Sequence, residues 1–251
     1  MTQNLFSLEG KLAVVTGGSG GIGAASAALL AQAGATVVVV YHRGEARARE
    51  IVKALPGKGH YHLSMALDDS SSIEALAEAI GRVHGRVDVL VNAAGFTKPV
   101  PHSDLKGLTD DIFDAVMISN VRGPFALVRA FEPWLRAARG VVVNVSSISA
   151  FTGSGSSVAY CASKAALDTM TLSLARALGP EIRFLSVAPG AVATDFVAGR
   201  DRAALEKIAA GTPLKQVVEP EDVGRAILAC ATHLGLSTGG RIVVDGGRFL
   251  V

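Results

Sequence analysis

The stretch Thr16-Gly17-Gly18-Ser19-Gly20-Gly21-Ile22-Gly23 constrains the fold of this 251-residue chain more than any other. Before it, Lys11-Leu12-Ala13-Val14-Val15 is a short apolar run that predicts a buried parallel strand. After it, Ile22, Ala25, Ala28, Leu29 and Ala33 recur at helical spacing until Gly34 supplies a stop signal. A strand, a glycine turn and a helix N-terminus make an anion site, because free backbone N–H groups and the helix dipole face one point. Glycine belongs where such a turn demands positive φ and where a phosphate must approach the backbone closely. Gly17, Ser19, Gly20, Gly21, Ile22 and Gly23 are therefore candidate contacts for a phosphate-bearing ligand. Any tight strand-to-helix turn is also glycine-rich, so the rest of the chain must decide what is bound.

The same alternation repeats along the chain. Strands are predicted at Lys11–Thr16, Thr36–Tyr41, His60–Ala66, Val87–Asn92, Gly140–Ser146, Ile182–Ala188 and Ile242–Asp245. Helices are predicted near Gly21–Ala33, Glu45–Leu55, Ser71–His84, Thr109–Ala138, Val158–Leu178 and Pro220–His233, the third opened by a Ser71/Glu74 capping box. Alternating strands and helices imply a seven-stranded parallel sheet, doubly wound and covered on both faces. Length argues for one α/β domain over residues 1–251, with no linker or repeat. The stretch from Ala191 to Gln216 reads as one long irregular insertion, a substrate lid.

Composition narrows the function. A formal net charge of +2 gives no sign of a nucleic-acid partner, and no apolar run approaches a membrane span. Cys161 and Cys230 are too isolated for a disulfide framework, and Met1 to Gly10 lacks a basic-then-apolar leader, so a cytoplasmic setting is expected. His60 and His62 alternate on one strand face with no third ligand in view, and no metal is expected.

Ligands of such sheets sit beyond the carboxyl ends of the strands, where the strand order switches direction. The second strand ends in Tyr41-His42-Arg43, with no acidic residue to accept from free ribose hydroxyls; Glu45 comes too late. Arg43 is either a partner for a ribose 2′-phosphate, with His42 beside it, or a solvated loop charge. Asp68 either accepts from an adenine amino group or serves the turn before the next helix. Asn92-Ala93-Ala94-Gly95 lets a flat ring lie against small residues, or Asn92 is an amide tying two strands together.

Tyr160 and Lys164, four apart on a helical stretch, point to one face. A lysine ammonium beside a tyrosine hydroxyl favours the phenolate, lowering the tyrosine pKa toward usefulness in proton transfer. Ser147, just past the fifth strand, is placed to donate to a carbonyl oxygen that Tyr160 protonates. Tyrosine–lysine pairs at this spacing also occur on solvated helix faces.

Together, Thr16-Gly-x-x-x-Gly-Ile-Gly23, Asn92-Ala-Ala-Gly95, Asn120, Ser147, Tyr160-x-x-x-Lys164 and Pro189-Gly190 resemble the short-chain dehydrogenase/reductase family, and are similar to its 3-oxoacyl carrier-protein reductases. The resemblance covers essentially the whole chain and implies a Rossmann-type fold and a catalytic tetrad. Tyr160 would be the general acid in reduction, Lys164 would lower its pKa and hold the nicotinamide ribose, and Ser147 would orient the substrate carbonyl. Asn120 would sit in a distorted turn of the fourth helix and hold a water that relays protons to Lys164. Pro189, Gly190, the Val192 backbone and the Thr194 hydroxyl would hold the nicotinamide carboxamide end.

The implied cofactor is NADP(H), resting on Arg43 because Gly20 stands where many phosphate-preferring members carry a basic residue; NAD(H) is the alternative. The implied substrate is a carbonyl compound or secondary alcohol, and Ser149, Phe151, Phe96, Ala191, Phe196 and Val197 form a neutral or apolar pocket. Arg136 and Arg139 at the end of the fourth helix fit an acidic acyl carrier protein, while Arg122, Arg129 and Arg136 equally form a solvated stripe. The family also implies a homotetramer or homodimer. The competing readings are an NAD-dependent alcohol or sugar dehydrogenase, a nucleotide-sugar epimerase or dehydratase, and a nucleotide sensor without turnover.

Overall fold

The structure, a computed structural model, describes residues 6–251, so the first half of the Met1–Gly10 stretch, where no leader is expected, lies outside the described residues. All seven expected strands form. They are β1 (Leu12–Thr16), β2 (Thr36–Tyr41), β3 (Tyr61–Ser64), β4 (Val89–Asn92), β5 (Val141–Val145), β6 (Arg183–Pro189) and β7 (Arg241–Val244). They make one parallel sheet in the order β3-β2-β1-β4-β5-β6-β7. The order reverses at β1, which pairs with β2 on one side and β4 on the other. Thr16 therefore lies level with both Val40 and Asn92 at the carboxyl edge.

The valine-rich strands are buried on both faces, and their alternation feeds two cores. Ala13, Val15, Val37, Val39, Val91 and Val143 pack against α1 (Gly21–Gln32), α2 (Glu45–Ala54) and α9 (Pro220–Thr232) through Leu30, Ala48 and Ile227. Val14, Val38, Val40, Leu90, Val142 and Phe184 pack against α3 (Ser70–His84) and α5 (Gly123–Ala138) through Ile73, Ile80, Leu127 and Phe131. The remaining helices are α4 (Asp110–Met117), the single turn α6 (Ser149–Thr152), α7 (Val158–Leu178) and α8 (Arg202–Ala210). No described helix is long and apolar enough to cross a membrane.

Three local expectations are corrected. The helix expected over Thr109–Ala138 is broken by a π-helical turn at Ile118–Arg122. Pro124 has no N–H to give the Asn120 carbonyl, so the α-helical ladder cannot run through this point. The insertion at 191–216 is regular in its middle, where α8 is capped by Asp201, whose carboxylate accepts from Ala204 N at 2.8 Å, and buries Leu205 and Ala209 one turn apart. The Ser71/Glu74 box does not form. Asp69 caps α3 by accepting from Ser71 N at 2.9 Å and Ser72 N at 3.3 Å, a charged acceptor at the positive end of the helix dipole.

α3 and α5 meet closely at Gly81, where an added Cβ would sit 2.0 Å from Trp134 Cε2. Alanine favours an isolated helix, but the clash dominates here. Gly81→Ala is expected to cost about 1–3 kcal/mol, seen as a fall in Tm of several degrees. A Tm at or above that of the parent would overturn this account of the α3–α5 contact.

Candidate active site

The glycine turn is held by the residue that opens it. The Thr16 hydroxyl donates to Val91 O at 3.2 Å and accepts from Ala93 N at 3.2 Å and Ala94 N at 3.1 Å, stitching the ends of β1 and β4 together. Gly17 then turns at φ +67°, with Ala94 N 2.9 Å from where a Cβ would lie. At Gly23 a Cβ would lie 2.3 Å from Gly17 O, so α1 starts hard against the turn. Gly20 precedes α1 without any side-chain cap, and the first N–H groups of the helix are left for a ligand. Gly17, Ser19, Gly20, Gly21, Ile22 and Gly23 all line one cleft of about 1870 Å³ that runs along the carboxyl edge of the sheet.

At one end of this cleft, past β2, stand Tyr41, His42 and Arg43, joined by Arg47 from α2. Arg47 was not foreseen, although it lies one helical turn beyond Arg43; its guanidinium folds back over Gly44. Glu45 pairs with Arg49 at 2.9 Å and does not line the cleft. Asp68 lines it with its side chain free of the capping role, which Asp69 takes. Ala93 and Gly95 form the floor.

Asn92 does not line the cleft and is corrected to the structural alternative. Its Nδ2 donates to Asn144 Oδ1 at 2.8 Å, and Asn144 Nδ2 donates to Thr171 Oγ1 at 2.8 Å, a buried chain joining β4, β5 and α7.

At the other end the cleft reaches Ser147, Tyr160 and Lys164. Ser157 caps α7 by accepting from Tyr160 N at 3.2 Å, and the helix then carries Tyr160 and Lys164 on one face. Lys164 is buried; its Nζ donates to Val145 O at 2.8 Å and lies 5.7 Å from the Tyr160 ring centroid. The Ser147 hydroxyl accepts from Ser149 N at 3.1 Å and interacts with the Tyr160 hydroxyl.

Asn120 stands in the distorted turn as expected, yet its amide does not face the cleft. Oδ1 accepts from Phe96 N at 2.8 Å, while Nδ2 donates to Phe96 O at 2.9 Å and Ser163 Oγ at 3.0 Å. Ser163 in turn donates to Tyr160 O at 2.8 Å, so Asn120 positions the backbone of Tyr160 at one remove. A Cβ on Gly95 would lie 2.9 Å from Asn120 Oδ1 and 3.9 Å from Lys164 Nζ, so both side chains crowd the same face of one glycine.

The electrostatics differ from the expectation. Burial pushes the Tyr160 hydroxyl up to about 12, with the Ser147 hydrogen bond and the nearby Arg200 pulling the other way. Burial also brings Lys164 down to about 8, opposed by Asp168 one turn further along α7. Lys164 does not depress Tyr160 here because the ammonium is turned to the Val145 carbonyl and beside the ring, while desolvation acts directly on the hydroxyl. Tyr160 is thus a protonated donor at neutral pH. Asp168, itself paired with Arg241 at 3.2 Å, is a supporting residue that the sequence reading missed.

Pro189, Gly190, Val192 and Thr194 line the cleft beside this group, as do Ser149, Phe151, Phe96, Phe196 and Val197; Ala191 faces a small separate cavity. The Phe196 and Tyr160 rings lie 6.1 Å apart, and Phe151 meets Phe249 edge-on at 5.6 Å. Arg200, Arg248 and Phe249 complete the wall and were not foreseen, since no motif marks them.

Known proteins match this chain over nearly its whole length. A family model described as Enoyl-(Acyl carrier protein) reductase matches residues 17–248. The chain is 36% identical to a provisionally named ketoacyl reductase of the granaticin polyketide synthase of Streptomyces violaceoruber, over 97% of this chain and 98% of that one. It is 33% identical to a 3-oxoacyl-(acyl-carrier-protein) reductase of Thermotoga maritima, over 96% and 98% respectively. A crystal structure of a short-chain dehydrogenase/reductase, a glucose/ribitol dehydrogenase from Brucella melitensis, superposes with a TM-score of 0.89 at 25% identity, over 96% of this chain and 97% of that one. The uncapped α1 N-terminus and the glycines with no room for a Cβ fit the pyrophosphate of a nicotinamide dinucleotide. With sheet, cleft and relatives in agreement, the chain belongs to the short-chain dehydrogenase/reductase family and is an NAD(P)-dependent oxidoreductase.

Proposed function

We propose that this enzyme is an NADP(H)-dependent reductase of ketones, and in reverse a dehydrogenase of secondary alcohols. One observation carries the reading: a single cleft joins Ser147, Tyr160 and Lys164 to the glycine turn and ends on His42, Arg43 and Arg47, with no carboxylate at the end of β2. The two guanidiniums match a ribose 2′-phosphate. The glycine turn and the first N–H groups of α1 hold the pyrophosphate, Asp68 accepts from the adenine amino group, and Val192 and Thr194 hold the carboxamide. When bound, the nicotinamide supplies or accepts the hydride.

The protein does the proton chemistry. The Ser147 hydroxyl donates to the substrate carbonyl oxygen and fixes its position. The Tyr160 hydroxyl gives its proton to that oxygen as the carbonyl is reduced, and the Lys164 ammonium, turning from the Val145 carbonyl toward the hydroxyl, stabilises the phenolate left behind. Asn120 holds Ser163 and so the Tyr160 backbone. The segment between β6 and α9 acts as the lid.

A 3-oxoacyl thioester is the substrate class that the ketoacyl reductase relatives suggest. The surface argues less for an acidic carrier. Arg136 is paired with Glu132 and with Glu181 at 3.2 Å, Arg129 lies 4.0 Å from Glu74, and Arg122 donates to Asp68 O at 2.8 Å. Arg139 alone of that set has neither an ion pair nor a side-chain hydrogen bond among the described residues. Exposed Phe113, Phe125 and Leu172 on α4, α5 and α7 support assembly into a homodimer or homotetramer. The two cysteines, both free, fit a cytoplasmic setting. A second reading, an NAD-dependent sugar or alcohol dehydrogenase, is favoured by Gly20, which puts no cation in the turn.

Fluorescence titration decides between them. NADPH is expected to bind at least about tenfold more tightly than NADH, about 1.4 kcal/mol, with Arg43→Ala removing most of the difference. Equal dissociation constants in the parent enzyme would refute the phosphate assignment. A panel of ketones, acyl thioesters and sugars with both cofactors then identifies the substrate class.

A further inference from the structure

Two arginines at the reacting end of the cleft are not explained by the reading above. Arg200 comes from the segment between β6 and α8, and Arg248 from the short 3-10 turn Arg248–Leu250 at the end of the chain. Both are half-buried and both line the cleft that holds Tyr160. Their guanidiniums are close enough to repel one another, and that of Arg200 is close enough to the Tyr160 hydroxyl to act on it.

Neither makes a side-chain hydrogen bond or ion pair among the described residues, although Asp195 and Glu221 line the same cleft. Other part-buried arginines here are satisfied. Arg183 donates to the carbonyls of Leu234, Ser237 and Cys230, and Arg86 pairs with Asp88. Two adjacent, half-desolvated cations without a partner are costly unless an anion comes between them. The 2′-phosphate proposed for the cofactor cannot serve, because it belongs to the far end of the cleft with Arg43 and Arg47.

We propose that the substrate is an oxo acid, whose carboxylate is held between Arg200 and Arg248 while its carbonyl meets Ser147 and Tyr160. A planar carboxylate suits two guanidinium forks. Phe151, Phe196 and Phe249 line the cleft with them, and these rings suit a substrate whose body is apolar. The neutral pocket expected from the sequence is corrected by these two charges. The inference rests on the carbonyl-reductase reading and refines its substrate.

The test uses aryl keto acids with one, two or three methylenes between ketone and carboxylate, each beside its methyl ester. The best acid is expected to exceed its ester at least about tenfold in kcat/KM, mainly through KM. Arg200→Gln and Arg248→Gln should each shrink that ratio, and the double variant should bring it close to one. In parallel, calorimetry follows 4-phenylbutanoate binding to the enzyme loaded with oxidised cofactor, with unchanged melting and cofactor affinity certifying each variant. Binding that weakens about tenfold in each variant supports the anion site. Esters used as well as acids, or 4-phenylbutanoate bound equally by parent and variants, would overturn it. Failure to reduce any ketone, acid or ester, would count against the carbonyl-reductase reading, and the calorimetry would still decide the carboxylate site.

Discussion

Tyr160→Phe is expected to lower kcat by about three orders of magnitude while leaving the cofactor dissociation constant nearly unchanged. The substitution removes one oxygen and leaves the ring, so the contacts to Lys164 at 5.7 Å and Phe196 at 6.1 Å persist. What disappears is the proton that must reach the carbonyl oxygen. With its hydroxyl pushed up to about 12, Tyr160 is protonated across the neutral range and reduction needs no prior titration of it. Ser147→Ala should be milder, because it removes a hydrogen bond to the oxygen but no proton-transfer step. Steady-state reduction assays and cofactor fluorescence on the same preparations check both. Full activity in Tyr160→Phe would sink the mechanism; lost cofactor binding would show that the hydroxyl is structural.

Those three side chains were legible in the sequence because their spacing is helical and their place at a strand end follows from topology. The sheet was legible for a related reason. Valines buried on both faces leave continuous apolar runs, and all seven strands formed. The losses lie where the determining interaction is not periodic. Pro124 breaks the long helix through a missing N–H two residues after the last residue of the π-helical turn. α8 was obscured by its charged face, although Asp201, Leu205 and Ala209 carry the cap and the buried spacing. Asn92 and Asn144 have no pattern in sequence; their pairing is a consequence of the β4–β5 register. Arg47, Arg200 and Arg248 reach the cleft from three separate segments, so no local motif records them. The Tyr160–Lys164 pair shows a different limit. Proximity was foreseen, while the balance between charge and desolvation depends on burial that spacing does not encode.

Lys164→Met is expected to abolish most activity and yet make the protein more stable at neutral pH. Burial lowers Lys164 from 10.5 to about 8, a shift worth about 3 kcal/mol against the charged lysine in the folded state. Losing the bond from Nζ to Val145 O offsets part of that, about 1–3 kcal/mol. A net rise in Tm of a few degrees is left for a chain of this size. The pH dependence carries the clearer signature. Below pH 8 both folded and unfolded lysine are charged and the full penalty is present. Between about 8 and 10.5 the unfolded state holds the proton and the folded state releases it, so stability rises with pH by this group's contribution. Above 10.5 both are neutral and the penalty is gone. Denaturant titrations of parent and variant across that window should therefore differ in slope, the parent gaining relative to Lys164→Met. Parallel curves would mean that Lys164 is not held charged against its surroundings. A variant both less stable and equally pH-dependent would recast the lysine as a packing residue. An ammonium that weakens the fold and remains in place is accounted for by the phenolate that it must meet during turnover.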